Sequence, residues 1–254
     1  MCTSADPMDR RLRPSLLIEW QSGEHTRTVV IDTGPDFREQ ALRAGLTRVD
    51  AVLYSHGHAD HILGMDDLRP LSFAAAREGR QIPLYASEET AEVLGRVYDY
   101  TFAPDATYPT RARVRLEPLD ERVKVQEAEF VRVPLLHGKM EIAGFRFGRT
   151  AYLTDVSTIP EESFALLEGL DCLIVSALRH KPHPSHATLH QAMEWARRIG
   201  AKQTWFTHIA HELGHAETNR ALPSGMALAH DGLSFSAELG PAISGPTKPE
   251  PGTP

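Results

Sequence analysis

The chain has 254 residues, 41% of them apolar and 24% charged, with a formal net charge of −7. This composition fits a globular domain with a substantial core and argues against sequence-wide capture of nucleic acid, while leaving room for a local basic pocket that takes a small phosphorylated substrate. Cys2 and Cys172 are the two cysteines, too few for a disulfide framework, and no apolar run nears the roughly 20 residues of a membrane helix. No signal-peptide pattern is visible either, so the expected setting is reducing and cytoplasmic, away from membranes.

In chain order, strands are predicted at residues 16–20, 27–32 and 51–55, with a helix after Gly34-Pro35 between the last two. A helix at 62–80, a strand at 82–86 and a helix at 87–100 follow. The second half reads as strands at 130–135, 144–147, 151–154, 171–176 and 203–207, with a helix at 187–199 before the last of these. Strands outnumber helices and mix hairpin with crossover spacing, which predicts an α/β domain of two packed sheets with helices outside, spanning residues 1–239. The Pro- and Gly-rich stretch 240–254 cannot bury enough apolar surface to offset its ordering entropy and is expected to be a disordered tail.

The chemistry starts at His56-Gly57-His58-Ala59-Asp60-His61, directly after the apolar run Ala51-Val52-Leu53-Tyr54-Ser55. In a loop leaving a strand, His56 and His58 can address one cation while Asp60 and His61, nearer the next helix, address a second. The stretch therefore reads as half of a two-metal centre. Further ligands should close other strands, and His137, Asp155 and His208 each follow an apolar run. Asp155 is the natural bridge, since a carboxylate can place one oxygen on each of two metals roughly 3.5–4 Å apart. Asp32 closes Thr28-Val-Val-Ile31 in the same way and is assigned to holding an imidazole in one tautomer, with a turn-initiating Asp before Thr33-Gly34-Pro35 as the equal alternative.

These residues resemble the metallo-β-lactamase fold superfamily. The segments Arg10-Arg-Leu-Arg-Pro-Ser15, Ile31-Asp-Thr-Gly-Pro-Asp-Phe-Arg38, Gly144-Phe-Arg-Phe-Gly148, Tyr152-Leu-Thr-Asp155, Lys181-Pro-His-Pro-Ser-His186 and Thr207-His-Ile-Ala-His211 are similar to the branch containing the phosphoribosyl cyclic phosphate phosphodiesterase of phosphonate degradation. The resemblance implies a four-layer αββα sandwich and a site for two divalent metal ions, manganese or zinc, with iron also suited to the ligand types. It implies that His56, His58, His137 and Asp155 bind one metal and Asp60, His61, Asp155 and His208 the other, with Asp60 and Asp155 doubling as catalytic groups. The implied chemistry is phosphodiester hydrolysis by a hydroxide bridging the metals. His186 would be the general acid, and Lys181 and His183, in the same Pro-stiffened loop, would contact phosphate.

Members of this branch usually open with a strand and a cysteine cluster that joins a later His in a structural zinc site. Here Cys2 and His211 match two positions of that site, and two ligands do not close a tetrahedron. The expectation is that the natural start lies upstream of Met1; otherwise a first strand is lacking and one sheet keeps an uncovered edge.

The leading functional reading is a metal-dependent phosphodiesterase acting on a small, cyclic phosphodiester. Alternatives are an RNA-processing nuclease, which the acidic balance disfavours, a cofactor-biosynthesis member of the superfamily, and a non-catalytic metal-binding scaffold, which loss of a ligand would have favoured. The expected partner is a small phosphorylated substrate, with a homodimer as an open alternative to a single chain.

Overall fold

A computed structural model of the chain describes residues 3–105 and 107–239. The expectations for Cys2 and for the tail at 240–254 fall outside these residues. β1 (Leu16–Ser22) and β2 (His25–Ile31) form an antiparallel hairpin that turns through Gly23, at φ 60°. β3 (Ala51–Leu53), β4 (Ile82–Ala86) and β5 (Val114–Pro118) join in parallel, giving a five-stranded sheet in sequence order. Its crossovers carry α1 (Phe37–Arg43), then α2 (Ala59–Ile62) and α3 (Arg69–Arg77), then α4 (Glu88–Val97) and α5 (Asp99–Phe102).

The second sheet begins as an antiparallel meander of β6 (Arg122–Val125), β7 (Ala128–His137), β8 (Met140–Phe147) and β9 (Thr150–Leu153). It continues in parallel from β9 through β10 (Cys172–Ser176), β11 (Gln203–Thr207) and β12 (Met226–Leu228). α6 (Leu189–Ile199) crosses between β10 and β11, and α7 (His215–Ala221) between β11 and β12.

Side-chain alternation sorts the strands into layers. Val29, Ile31, Ala51 and Leu53 point between the sheets against Phe130, Phe145, Tyr152 and Ile174. Their neighbours Val30, Val52 and Tyr54 point the other way, under Phe37, Ile62, Met65 and Leu94. On the far side, Leu173, Val175 and Phe206 pack beneath Leu189, Ala192 and Ala196 of α6. Strands covered on both faces read as continuous apolar runs, which is why β3 and β10 stood out in the sequence. The result is the expected αββα sandwich.

Three differences from the sequence reading have physical causes. The helix expected over 62–80 is broken into α2, a 3-10 turn at Met65–Leu68 and α3, whose first turn contains Pro70. The helix expected over 87–100 likewise breaks between α4 and α5. β5, β6 and β12 were not anticipated, being short or rich in Arg and Lys, and each is defined by pairing with a strong neighbour rather than by its own pattern. Among the described residues β1 is paired on one side only, and Leu16 to Glu19 along it line a cavity of about 890 Å³ opposite Trp205 and Phe235. No helix among the described residues is long and apolar enough to cross a membrane.

The entry to β3 is held electrostatically. Asp50, only 7% exposed, accepts hydrogen bonds from Thr28 N at 2.9 Å and from Arg48 Nη2 at 2.8 Å, with the Arg27 guanidinium 3.4 Å away. Burial alone would raise its pKa, but the Arg48 and Thr28 donors and the neighbouring charges outweigh that and hold it below the ordinary carboxylate value. A depressed folded-state pKa contributes stability that is present above the unfolded value of about 3.9 and lost as pH falls through the folded one. Asp50→Asn is therefore expected to cost about 2 kcal/mol at pH 7, with the gap to the parent protein closing below about pH 4, as read by urea unfolding across a pH series.

Candidate metal centre

A strand's final residues can swing side chains out over the sheet edge, and polar groups collect there. Asp32 follows β2, Ser55 and His56 follow β3, His137 ends β7, Asp155 follows β9 and His208 follows β11. β2 and β3 run in parallel, as do β9, β10 and β11, while β7 and β9 both oppose β8, so these ends open on one rim in each sheet. Asp32, Asp155 and His208 adopt positive φ values of 62°, 53° and 52°. Left-handed backbone costs a residue with a Cβ about 1–2 kcal/mol, and here it turns the chain sharply off each strand.

The loop from His56 to Gly64 is pressed against the loop after β2. Thr33 N donates to the His61 carbonyl at 2.8 Å, and Gly64 N donates to the Thr33 carbonyl at 2.8 Å. A Cβ on Gly34 would lie 2.3 Å from the Asp60 carbonyl oxygen, and one on Gly64 would lie 2.1 Å from the Gly34 carbonyl oxygen. Only glycine permits this approach, and it is why the helix expected from 62 onward is interrupted.

Hydrogen bonds beneath the rim set the imidazole tautomers. Asp32 is fully buried and accepts from Ser55 N at 2.8 Å, Ser55 Oγ at 2.7 Å and His61 Nδ1 at 2.7 Å. With its proton committed to Asp32, Ser55 Oγ is an acceptor for His56 Nδ1 at 3.0 Å. His137 Nδ1 donates to the Asp155 carbonyl at 2.7 Å. These assignments leave the Nε2 lone pairs of His56, His61 and His137 turned away from their supports.

Asp155 divides its carboxylate between the two sides of the cluster. Its Oδ1 lies 3.2 Å from His61 Nε2 and 3.0 Å from His208 Nε2, while its Oδ2 lies 3.8 Å from His56 Nε2 and 3.9 Å from His186 Nδ1. Asp60 Oδ2 sits 3.5 Å from His208 Nε2 and 3.7 Å from His61 Nε2. Ligand atoms converge within 4.8 Å in three groups: His56, His58 and Asp155; Asp60, His61 and His208; His137, Asp155 and His186. Lone pairs facing carboxylate oxygens at these distances repel unless positive charge lies among them. The buried Nε2 atoms of His61 and His208 have no hydrogen-bond partner, as expected of nitrogens kept for a cation. The residues present therefore fit a metal.

The electrostatics carry the same demand. Burial opposes a charge on His61, yet Asp32 and Asp155 raise its pKa well above the imidazole value. Burial would also raise Asp155, but His208, His61 and His56 hold it well below the carboxylate range. His56, desolvated and beside His61, is pushed down to about 2 and stays neutral, as a ligating imidazole must.

His186 belongs to the cluster through the loop after β10. The next residue, Ala187, donates its N–H to the Val156 carbonyl at 2.9 Å and accepts from Leu178 N at 3.0 Å, and Thr188 closes the loop as N-cap of α6 in a capping box with Gln191. The His186 ring lies 4.6 Å from that of His137 and 4.9 Å from that of His208. The His183 ring is 4.9 Å from His186, whereas Lys181 is exposed. His211 is exposed too, and its expected companion Cys2 lies outside the described residues. Sequence reasoning missed Ser55, which links Asp32 to His56, and Thr154, whose hydroxyl donates to Asp155 Oδ1 at 2.9 Å. A small hydroxyl beside each ligand was the available signal, and it is too common to be read alone.

Comparison with known proteins agrees with this geometry. A family model described as a beta-lactamase superfamily domain matches residues 27–209. A crystal structure described as a new diphosphatase from the PhnP family is 51% identical with a TM-score of 0.86, covering 94% of this chain and 89% of that one. Human tRNase Z, short form, is similar in fold, with 18% identity and a TM-score of 0.61 over 89% of this chain and 93% of its own. The octanoyltransferase of Porphyromonas gingivalis is 34% identical over 92% of this chain but only 46% of its own length, so the chain spans less than half of that relative. The matched span contains Asp32, the His56–His61 motif, His137, Asp155 and His208, and the chain belongs to the beta-lactamase superfamily, in the metallo-β-lactamase fold group that includes the PhnP family.

Proposed function

We propose that this chain is a metal-dependent hydrolase of small phosphate compounds, a cyclic phosphodiester or a diphosphate. The observation that carries this reading is the split carboxylate of Asp155 between two sets of imidazole nitrogens. His56, His58, His137 and Asp155 would hold one divalent cation, and Asp60, His61, Asp155 and His208 a second, manganese or zinc. Such cations, when bound, polarise a phosphoryl oxygen and make water acidic enough to attack near neutral pH. The diphosphatase described at 51% identity supports phosphate as the substrate class. Acyl transfer is not carried over from the octanoyltransferase, because more than half of that protein lies outside the match.

The chain's own groups do the rest. Asp32 and Ser55 keep the His61 and His56 lone pairs aimed at the cluster, which avoids reorganisation during the reaction. His186 stands at the rim as proton donor to the departing oxygen. Burial pushes its pKa down to about 4, and a phosphate beside it shifts the balance back toward the imidazolium that donates. His183 and Lys181, on the same loop, are the proposed phosphate contacts outside the cluster. A small substrate is favoured over extended RNA, which needs a basic surface that a net charge of −7 does not supply across the chain.

Hydrolysis of bis(p-nitrophenyl) phosphate should stop on chelation and return with added manganese or zinc; activity indifferent to chelator, or none with any metal, would overturn the reading. Asp155→Ala is expected to lose bound metal, while His186→Ala keeps its metal content and loses kcat by about 10²–10⁴-fold. Asp32→Asn should weaken metal affinity by about 10–100-fold by releasing the His61 tautomer, measured by titration against a competing chelator with circular dichroism to confirm the fold.

A further inference from the structure

The segment leading into β1 contains three arginines, Arg10, Arg11 and Arg13, of which the proposed chemistry uses none. Arg11 is already engaged, its guanidinium bonding Asp9 at 3.0 Å and the carbonyls of Ala210 at 3.1 Å and Leu213 at 2.7 Å. Arg13 is different. Its N–H donates to Asp36 Oδ2 at 2.8 Å, its carbonyl accepts from Gln40 Nε2 at 2.7 Å, and Ser15 Oγ two residues on donates to the Asp32 carbonyl at 2.8 Å. Pro14 fixes the following φ. The backbone of Arg13 is thus tied to the same loop that carries Asp32, and Gly34 leaves room for both the Arg13 Cβ and the Asp60 carbonyl.

The side chain on this fixed base is 57% exposed, and its Nη1 comes 4.0 Å from Asp60 Oδ2, on the Asp60, His61 and His208 side of the cluster. An exposed pair at that distance is worth about 0–1 kcal/mol and makes no hydrogen bond, so the Asp60 contact does not occupy the donors of the guanidinium. A planar fork of donors beside an anion-binding site matches phosphate oxygens in bidentate fashion. A scissile phosphorus held by the imidazole–carboxylate cluster would turn its oxygens inward, and the Arg13 guanidinium, outside Asp60, is then placed for a neighbouring group of the substrate.

We propose that Arg13 binds a second phosphate adjacent to the scissile one and makes this site selective for substrates carrying two neighbouring phosphates. This rests on the phosphate-hydrolase reading above and narrows its substrate class.

The test is calorimetric binding of AMP and of ADP in its unhydrolysable methylene-bridged form, which differ by one phosphate, to the metal-loaded protein. The ADP form should bind at least about tenfold more tightly than AMP; Arg13→Ala should abolish that ratio with AMP affinity within about threefold and metal content unchanged, and Arg13→Lys should restore part of it. Equal affinity for the two nucleotides in the parent protein, an equal loss for both in Arg13→Ala, or loss of metal from that variant would each overturn the proposal. Failure of phosphodiester hydrolysis with the ADP preference and its Arg13 dependence intact would count against the hydrolase reading alone.

Discussion

A single buried carboxylate organises the rim. Asp32 has no exposure, and it accepts from His61 Nδ1 and from both the N–H and hydroxyl of Ser55. An ionised carboxylate only accepts, so every group around it must donate, and that requirement passes through Ser55 to His56. The Nε2 lone pairs of two imidazoles are therefore directed by one residue that stands behind the site. Its position depends in turn on Val29 and Ile31 packing between the sheets and Val30 packing under Phe37, because these contacts fix where β2 ends.

The same economy governs Asp155 and His208. Each follows a parallel strand of the second sheet and leaves it through left-handed backbone, as Asp32 does in the first. Three residues with side chains in that conformation would be costly in an ordinary turn; here the strained positions coincide with the polar groups that must converge. The sandwich offsets that cost, since its three apolar layers hold the strand ends rigidly. What results is a cluster of lone pairs and carboxylate oxygens that is stable as a set only around positive charge, a property of placement and not of any one residue.

The His56–His61 motif was legible because three imidazoles and a carboxylate in six residues have no simple structural use, and His137, Asp155 and His208 because each closes an apolar run. Strands buried on both faces, such as β3 and β10, were visible for the related reason that they are apolar without a break. β5 and β12 were not, since their pairing partners lie elsewhere in the chain, and β6 was not because Arg122 and Lys124 alternate with only two valines in a four-residue strand. The break in the helix after His61 was hidden as well: Gly64 in a helical pattern looks tolerable until the Gly34 carbonyl is found where its Cβ would be.

The sequence by itself therefore determined the residue types of the cluster, their order along the chain and the layered α/β class, because composition and periodicity are local properties. Only the tertiary structure decided which oxygen of Asp155 faces which imidazole, that Ser55 links Asp32 to His56, and that Arg13, far from the motif in sequence, stands beside Asp60. Those facts depend on how two sheets are stacked and where their strands stop, and no window of neighbouring residues contains that information.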